Sequence, residues 1–148
     1  MATEDIIVKA INVLSESMRD CMRKHKEQTA ESKELFNLTI TQLHYLHAIR
    51  EKINPTITEL AEQFGVQKST VTVAINKLLQ REFIEKTSSA SDLRVVHVSL
   101  SEKGEKLISI EDRGYYLFAR KIMESLDESE SETFAYLLGK VLDNTARD

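Results

Sequence analysis

Between Thr56 and Leu100 the hydrophobic period of the chain changes once, and the change follows two helix-length segments separated by a single glycine. Leu60, Ala61 and Phe64 recur at helical spacing behind a Thr56/Glu59 capping pair, and Gly65 follows as a residue free to take the positive φ that ends a helix. Ser69 and Thr70 suit the cap and first turn of a second helix, whose apolar stripe is Val71, Ala74, Ile75, Leu78 and Leu79. Residues 83–86 and 95–100 then turn rich in β-branched side chains and read as two short strands, with the polar run 87–92 as their loop. Helix, tight turn, helix, strand, polar loop, strand is the layout of a winged helix-turn-helix. In it, Ala61 is small where the two helices cross, and Val66 and Val71 are expected to lock the second onto the first.

The flanks are helical. One Pro and four Gly in 148 residues leave little to break helices. Ile7, Ile11, Leu14, Met18 and Cys21 form one stripe on a first helix reaching about residue 26, and 27–37, polar and without period, reads as a connection. A Thr39/Gln42 capping pair opens the next helix, with Leu43, Leu46 and Ile49 (and Tyr45) inward and an end near Lys52, ahead of Asn54 and Pro55. Two helical segments close the chain: one from Ser101 through Leu107, Ile108, Ile110, Leu117, Phe118 and Ile122, and one over 129–144 with Phe134, Leu137, Leu138, Val141 and Leu142. The expected fold class is mainly α with a small β-hairpin wing. Its expected parts are a dimerisation helix and connection (1–37), a winged helix-turn-helix (38–100) and C-terminal dimerisation helices (101–148). The terminal stripes find no partner in the central core, so a homodimer with one self-complementary surface is the expected way to cover them.

Charge and composition bound the function. No apolar run nears the ~20 residues that cross a bilayer, and the first ten residues lack a signal-peptide core. A single cysteine excludes an internal disulfide framework and fits a reducing cytoplasm. The net charge of −4 would not by itself suggest a polyanionic partner, but the acidic excess lies wholly in 101–148, while between residues 66 and 100 Lys68, Lys77, Arg81, Lys86 and Arg94 outnumber Glu82, Glu85 and Asp92. Because salt confines such fields to roughly 10 Å, a locally basic surface can neutralise phosphates on an acidic protein. The chain holds no phosphate-cradling glycine loop, no H-E-x-x-H and no nucleophile elbow, so no enzyme is expected.

On the second helix of the pair, a step of 100° per residue puts Ser69, Val73, Asn76, Lys77 and Gln80 opposite Val71, with Thr70 and Thr72 at the edges of that arc. Hydroxyls, an amide and a lysine can contact base edges or phosphates in a major groove, and an exposed Val73 can meet a thymine methyl. The candidate DNA-binding residues are therefore Lys68, Ser69, Thr70, Thr72, Val73, Asn76 and Lys77, with Arg81 as a further phosphate contact. Arg94, where the hairpin returns, is placed to enter a minor groove, with Asp92 two residues earlier as its support. The partner is double-stranded DNA, with no cofactor and no metal called for. A winged helix binding protein instead of DNA is the competing class, which an apolar or acidic face would favour.

Leu38-Thr39 with Gln42, Thr56 with Glu59-Leu60-Ala61, Ser69-Thr70-Val71-Thr72, Asn76-Lys77-Leu78, Asp92-x-Arg94 and Leu100-Ser101 with Gly104 together resemble the MarR family of bacterial and archaeal regulators. The likeness spans essentially the whole chain. It implies that the first and last helices form a dimer interface around two DNA-binding lobes. It further implies repression of transcription, relieved when a small molecule, metal or oxidant acts between those regions. The runs 72–78 and 92–97 are similar to the fatty-acid-synthesis repressors of the family. Many members carry Arg where this chain has Val73, so their base-reading pattern does not transfer directly.

Two further features have both a sensing and a plain reading. Cys21 stands where some members sense peroxide, yet on an apolar stripe a buried inert thiol is the ordinary outcome. His44 and His47 share a helix face and, with His25 or Glu27, could begin a metal site, but the helix from Ser101 offers no His or Cys to complete it. His97 alternates with Val96 and Val98 and is expected to have no special role.

Overall fold

The computed structural model describes residues 2–24, 30–35 and 37–145. Its elements are α1 (Thr3–Lys24), α2 (Ala30–Leu35), α3 (Ile40–Lys52), α4 (Ile57–Phe64), α5 (Lys68–Gln80), β1 (Ile84–Ser88), β2 (Val96–Leu100), α6 (Glu102–Met123) and α7 (Glu128–Thr145). The chain forms two compact units, Met1–His25 with Arg113–Asp148, and Lys26–Asp112. No helix among the described residues is long and apolar enough to cross a membrane.

The unit built from Lys26–Asp112 contains the winged helix-turn-helix. Both predicted capping boxes are present: Thr39 with Gln42 opens α3, and Thr56 with Glu59 opens α4. Gly65 takes φ 62 at the end of α4, and no atom lies within 4 Å of the position its Cβ would occupy, so the backbone angle is what requires glycine there. The amides of Gly65 and Val66 reach back to Glu62 and Ala61, closing the last turn of α4. At the end of α5 the amides of Glu82 and Phe83 make the same pair of bonds to Leu79 and Leu78, with Glu82 at φ 61. That turn aims Phe83 into the core. The core gathers Leu46 and Ile49 of α3, Leu60 of α4, Val71, Ile75 and Leu78 of α5, Phe83, Val98 of β2, and Leu107 and Ile108 of α6, all essentially inaccessible. Each such side chain contributes about 1.5–3 kcal/mol of burial. Val71 is fully buried as expected, but Val66 is 38% exposed, so Val71 carries that packing without it.

β1 and β2 pair antiparallel with Ile84 opposite Leu100 and Ser88 opposite Val96. Thr87 and Ser88, expected in the loop, thus belong to the strand. The other edge of β2 meets the 55–56 segment through a bridge from Thr56 to His97 and a bond from the Val98 amide to the Pro55 carbonyl. His97, for which no role was expected, also pairs its Nδ1 with the Asn54 carbonyl at 2.8 Å. This ties the end of α3 to the wing, where Ile53 and Asn54 both hold positive φ without a glycine.

The connection expected over 27–37 is a second departure. It contains α2, whose Leu35 is buried, and the Glu34 carboxylate lies 3.1 Å from Lys103 and 3.9 Å from Arg81. Six residues are too few to show a helical period, so no apolar stripe marks this helix in the sequence.

The other unit contains α1, α7 and the later part of α6. Along α1 the predicted stripe grades from Ile7 and Ile11, both more than half exposed, to the buried Cys21. None of the residues of α7 is buried, and Leu138, Val141 and Leu142 are 46%, 57% and 66% exposed.

Candidate nucleic-acid interface

α5 presents the predicted face to solvent. Lys68, Ser69, Thr70, Thr72, Val73, Asn76, Lys77 and Gln80 are all exposed, opposite the buried Val71, Ile75 and Leu78. Val73 is 57% exposed, an apolar β-branched group on an otherwise polar surface. The helix begins two residues earlier than the hydroxyls suggest. Gln67, not Ser69, is the N-cap residue, and it makes no side-chain cap bond. Ser69 and Thr70 are therefore first-turn residues with outward hydroxyls, at the helix end whose dipole favours anions. The Thr72 hydroxyl donates to the Lys68 carbonyl at 2.8 Å.

The wing carries Arg94 with its side chain 92% exposed. Asp92 holds it from two sides, accepting from the Arg94 amide at 3.0 Å and from its Nε at 3.3 Å. The Asp92 carbonyl accepts from the Val95 amide, closing the turn, and the Ser89 amide bonds the Val95 carbonyl. An exposed ion pair of this kind adds ~0–1 kcal/mol to stability. What it supplies is a defined starting direction for an otherwise free guanidinium.

Arg81 departs from its expected place among the phosphate contacts. Its guanidinium stacks 5.0 Å from the Phe83 ring centre, with the Lys103 ammonium 4.7 Å from the same centre, and reaches the Glu34 carbonyl. It fastens α2 and α6 to the end of α5. Lys86, which the sequence marked only as one of the basic residues of the middle, sits beside this face: from β1 its Nζ donates to Asn76 Oδ1 at 3.3 Å. Ten residues apart on different elements, the two show no common period, and only the fold of the hairpin onto α5 brings them together.

The histidines separate. His44 is exposed on α3, while His47 Nε2 lies 2.7 Å from the carboxylate of the buried Glu111. Beside them Arg50 bonds Asp112 at 2.7 Å, and that carboxylate holds the guanidinium pKa above its ordinary value. His25 and Glu27, the other proposed ligands, lie outside the described residues. Among the described residues no group of three or more His, Cys, Asp or Glu is arranged to hold a metal ion.

The MarR family model matches residues 38–96, from the start of α3 to the start of β2. An uncharacterised HTH-type transcriptional regulator of Bacillus subtilis, YybA, is 30% identical over 117 residues, 78% of each chain. This chain belongs to the MarR family. The family is one of transcription regulators and is not enzymatic. The HTH-type transcriptional repressor MdtR of B. subtilis is 26% identical over 125 residues, 84% of this chain and 81% of its own. A mutant of S. aureus MepR bound to an oligodeoxyribonucleotide superimposes with a TM-score of 0.70 at 16% identity, covering 98% of this chain and 99% of that one. Such a likeness shows the fold: a mainly helical MarR-type winged helix-turn-helix with a two-stranded antiparallel wing.

Proposed function

We propose that this MarR-family regulator is a repressor that binds a pseudo-palindromic operator as a homodimer and releases it in response to a small molecule. The observation that carries DNA binding is the exposed face of α5, where Thr72, Val73, Asn76 and Lys77 stand clear of a core that immobilises the opposite side. In this reading α5 enters the major groove and Lys68 and the hydroxyls of Ser69 and Thr70 meet phosphates. Thr72, Val73, Asn76 and Lys77 read bases, and Arg94, steadied by Asp92, enters a flanking minor groove. The DNA-bound MepR relative supports the docking mode, and the repressor MdtR supports the direction of the effect.

The dimer is supported by the apolar residues that α1 and α7 leave exposed, from Ile7 and Ile11 to Leu138 and Leu142. A two-fold dimer would set two copies of α5 about one helical turn, ~34 Å, apart. For the effector, a cleft of about 410 Å³ beside the wing, lined by Ile53, Asn54, Thr87, His97, Val98 and Ser99, lies in the size range of small-molecule sites. A regulator of this kind works beside the chromosome, in the cytoplasm.

Selection from a random duplex pool tests the reading. The expected result is a recovered palindrome, bound with a steep salt dependence. On it, Asn76→Ala should weaken the specific site about 5- to 100-fold more than random DNA. Equal losses on specific and random DNA would show that this helix face does not read bases.

A further inference from the structure

Asn76 is an amide whose two ends offer opposite hydrogen-bonding character, and in the free protein one end is already taken. Lys86 Nζ lies 3.3 Å from the Asn76 side-chain oxygen. An ammonium has three donors and no acceptor, so the atom facing it must be the carbonyl oxygen. The amide orientation is thereby set: oxygen toward the wing, NH2 away from it. Lys86 is also well placed to keep this contact. Its cross-strand partner in the hairpin is Val98, which is fully buried. Directly opposed residues share a sheet face, so the lysine stem leaves β1 on the side that packs against the domain. One turn earlier on α5, the Thr72 hydroxyl donates its one hydrogen bond to the Lys68 carbonyl, and only its lone pairs remain to offer.

We propose that Lys86 is a positioning residue for sequence recognition: by turning the Asn76 carbonyl toward the wing and setting a positive charge beside it, Lys86 leaves the NH2 as the end of Asn76 that reads the base and biases it toward guanine over adenine. The inference rests on the reading above that α5 lies in the major groove. An unencumbered asparagine pairs with adenine by using both ends, its NH2 to N7 and its oxygen to the N6 amino group. With the oxygen turned toward the ammonium and one of its two lone pairs engaged, the second bond is weakened and the adenine amino group meets a neighbouring cation. Guanine presents two acceptors side by side, N7 and O6, which suit an NH2 group and a nearby cation. A water-exposed amide–ammonium bond is weak in the free protein, but it strengthens as the groove closes over it and water leaves. Thr72, an acceptor only, complements this by favouring a base amino group on the neighbouring pair.

The experiment compares the full-length wild type with Lys86→Met, Lys86→Arg and Asn76→Ala, each in a random duplex pool and then on the recovered site with single base-pair exchanges. Lys86 is exposed, so the variants are expected to keep the wild-type circular dichroism. The wild type should prefer G·C to A·T at one pair per half-site by about 5- to 100-fold, and Asn76→Ala should abolish that preference and no other. Lys86→Met should swing the same pair toward A·T by tenfold or more, while Lys86→Arg, which keeps a donor, retains guanine. If Lys86→Met instead weakens every sequence equally and lowers the salt slope by ~1, Lys86 is a plain phosphate contact and the proposal is overturned. A wild-type A·T preference at the Asn76-dependent pair overturns it as well. A wild type that enriches no sequence at all overturns the DNA-reading assignment of α5 itself, an outcome separate from the other two.

Discussion

Two helical glycines in this chain should respond to alanine with opposite signs. In the first turn of α6, Gly104 is buried, and a Cβ added there would fall inside the van der Waals radius of the Phe83 carbonyl oxygen and 3.1 Å from its carbon. Both atoms are backbone and cannot rotate away. The same carbonyl accepts the Ser101 amide at 3.0 Å, and Phe83 itself is fully buried. Gly139 in α7 has nothing within 4 Å of the equivalent position. Alanine gains about 1 kcal/mol over glycine in a helix interior, as at Gly139, and less in a first turn such as that of Gly104. At Gly104 this is opposed by about 1–3 kcal/mol of overpacking, and by about 1 kcal/mol more if the Ser101 bond is stretched. Gly104→Ala is therefore expected to destabilise by about 1–3 kcal/mol and Gly139→Ala to stabilise by about 0.5–1 kcal/mol. For a chain of this size these correspond to melting shifts of roughly 3–10 °C down and 1–4 °C up. Urea unfolding followed by circular dichroism, with both variants at one protein concentration, reads the difference directly. If Gly104→Ala melts at or above the wild type, the close approach of α6 to the Phe83 carbonyl is not a packing constraint and the reasoning fails.

Other perturbations probe separate parts of the molecule. Thr56→Ala should cost about 1 kcal/mol by removing the α4 cap, read from the urea midpoint. Bonds from the Thr56 backbone and side chain lower the Glu59 pKa, so its stabilising effect is full above the ordinary glutamate range and fades as pH falls through its folded value. Glu59→Gln should flatten that acid limb, and an unchanged pH profile would contradict it. Ile53, 78% exposed at φ 53, sits where a β-branched residue is strained, and Ile53→Gly should raise stability by about 1 kcal/mol in the same assay. His47→Leu removes one partner of the buried Glu111 and should cost about 1–3 kcal/mol in thermal unfolding. Leu138→Glu, at a 46% exposed position of α7, should lower both dimer content in sedimentation and operator affinity while the winged-helix core stays folded; an unchanged sedimentation profile would place the interface elsewhere.

The parts of this protein that local rules govern were legible in the sequence. A capping box needs only residues three apart, and both Thr39/Gln42 and Thr56/Glu59 formed as read. Gly65 at positive φ and the alternation of exposed and buried residues on α5 follow equally from nearest neighbours and one helical period. Periodicity could not find α2, whose six residues are held by Leu35 burial and by Glu34 reaching Lys103 far along the chain. Nor could it separate two arginines of similar local setting: Arg81 is drawn onto Phe83 and Glu34, while Arg94 is left 92% exposed. Strained Ile53 carries no glycine to announce it, because the bridge of Thr56 and His97 imposes the turn from outside. The pairing of Lys86 with Asn76 belongs to the same class. One is set by strand register and the other by helix phase, and which hydrogen-bonding end of Asn76 faces outward depends on how the hairpin packs against α5, a relation that only the tertiary structure decides.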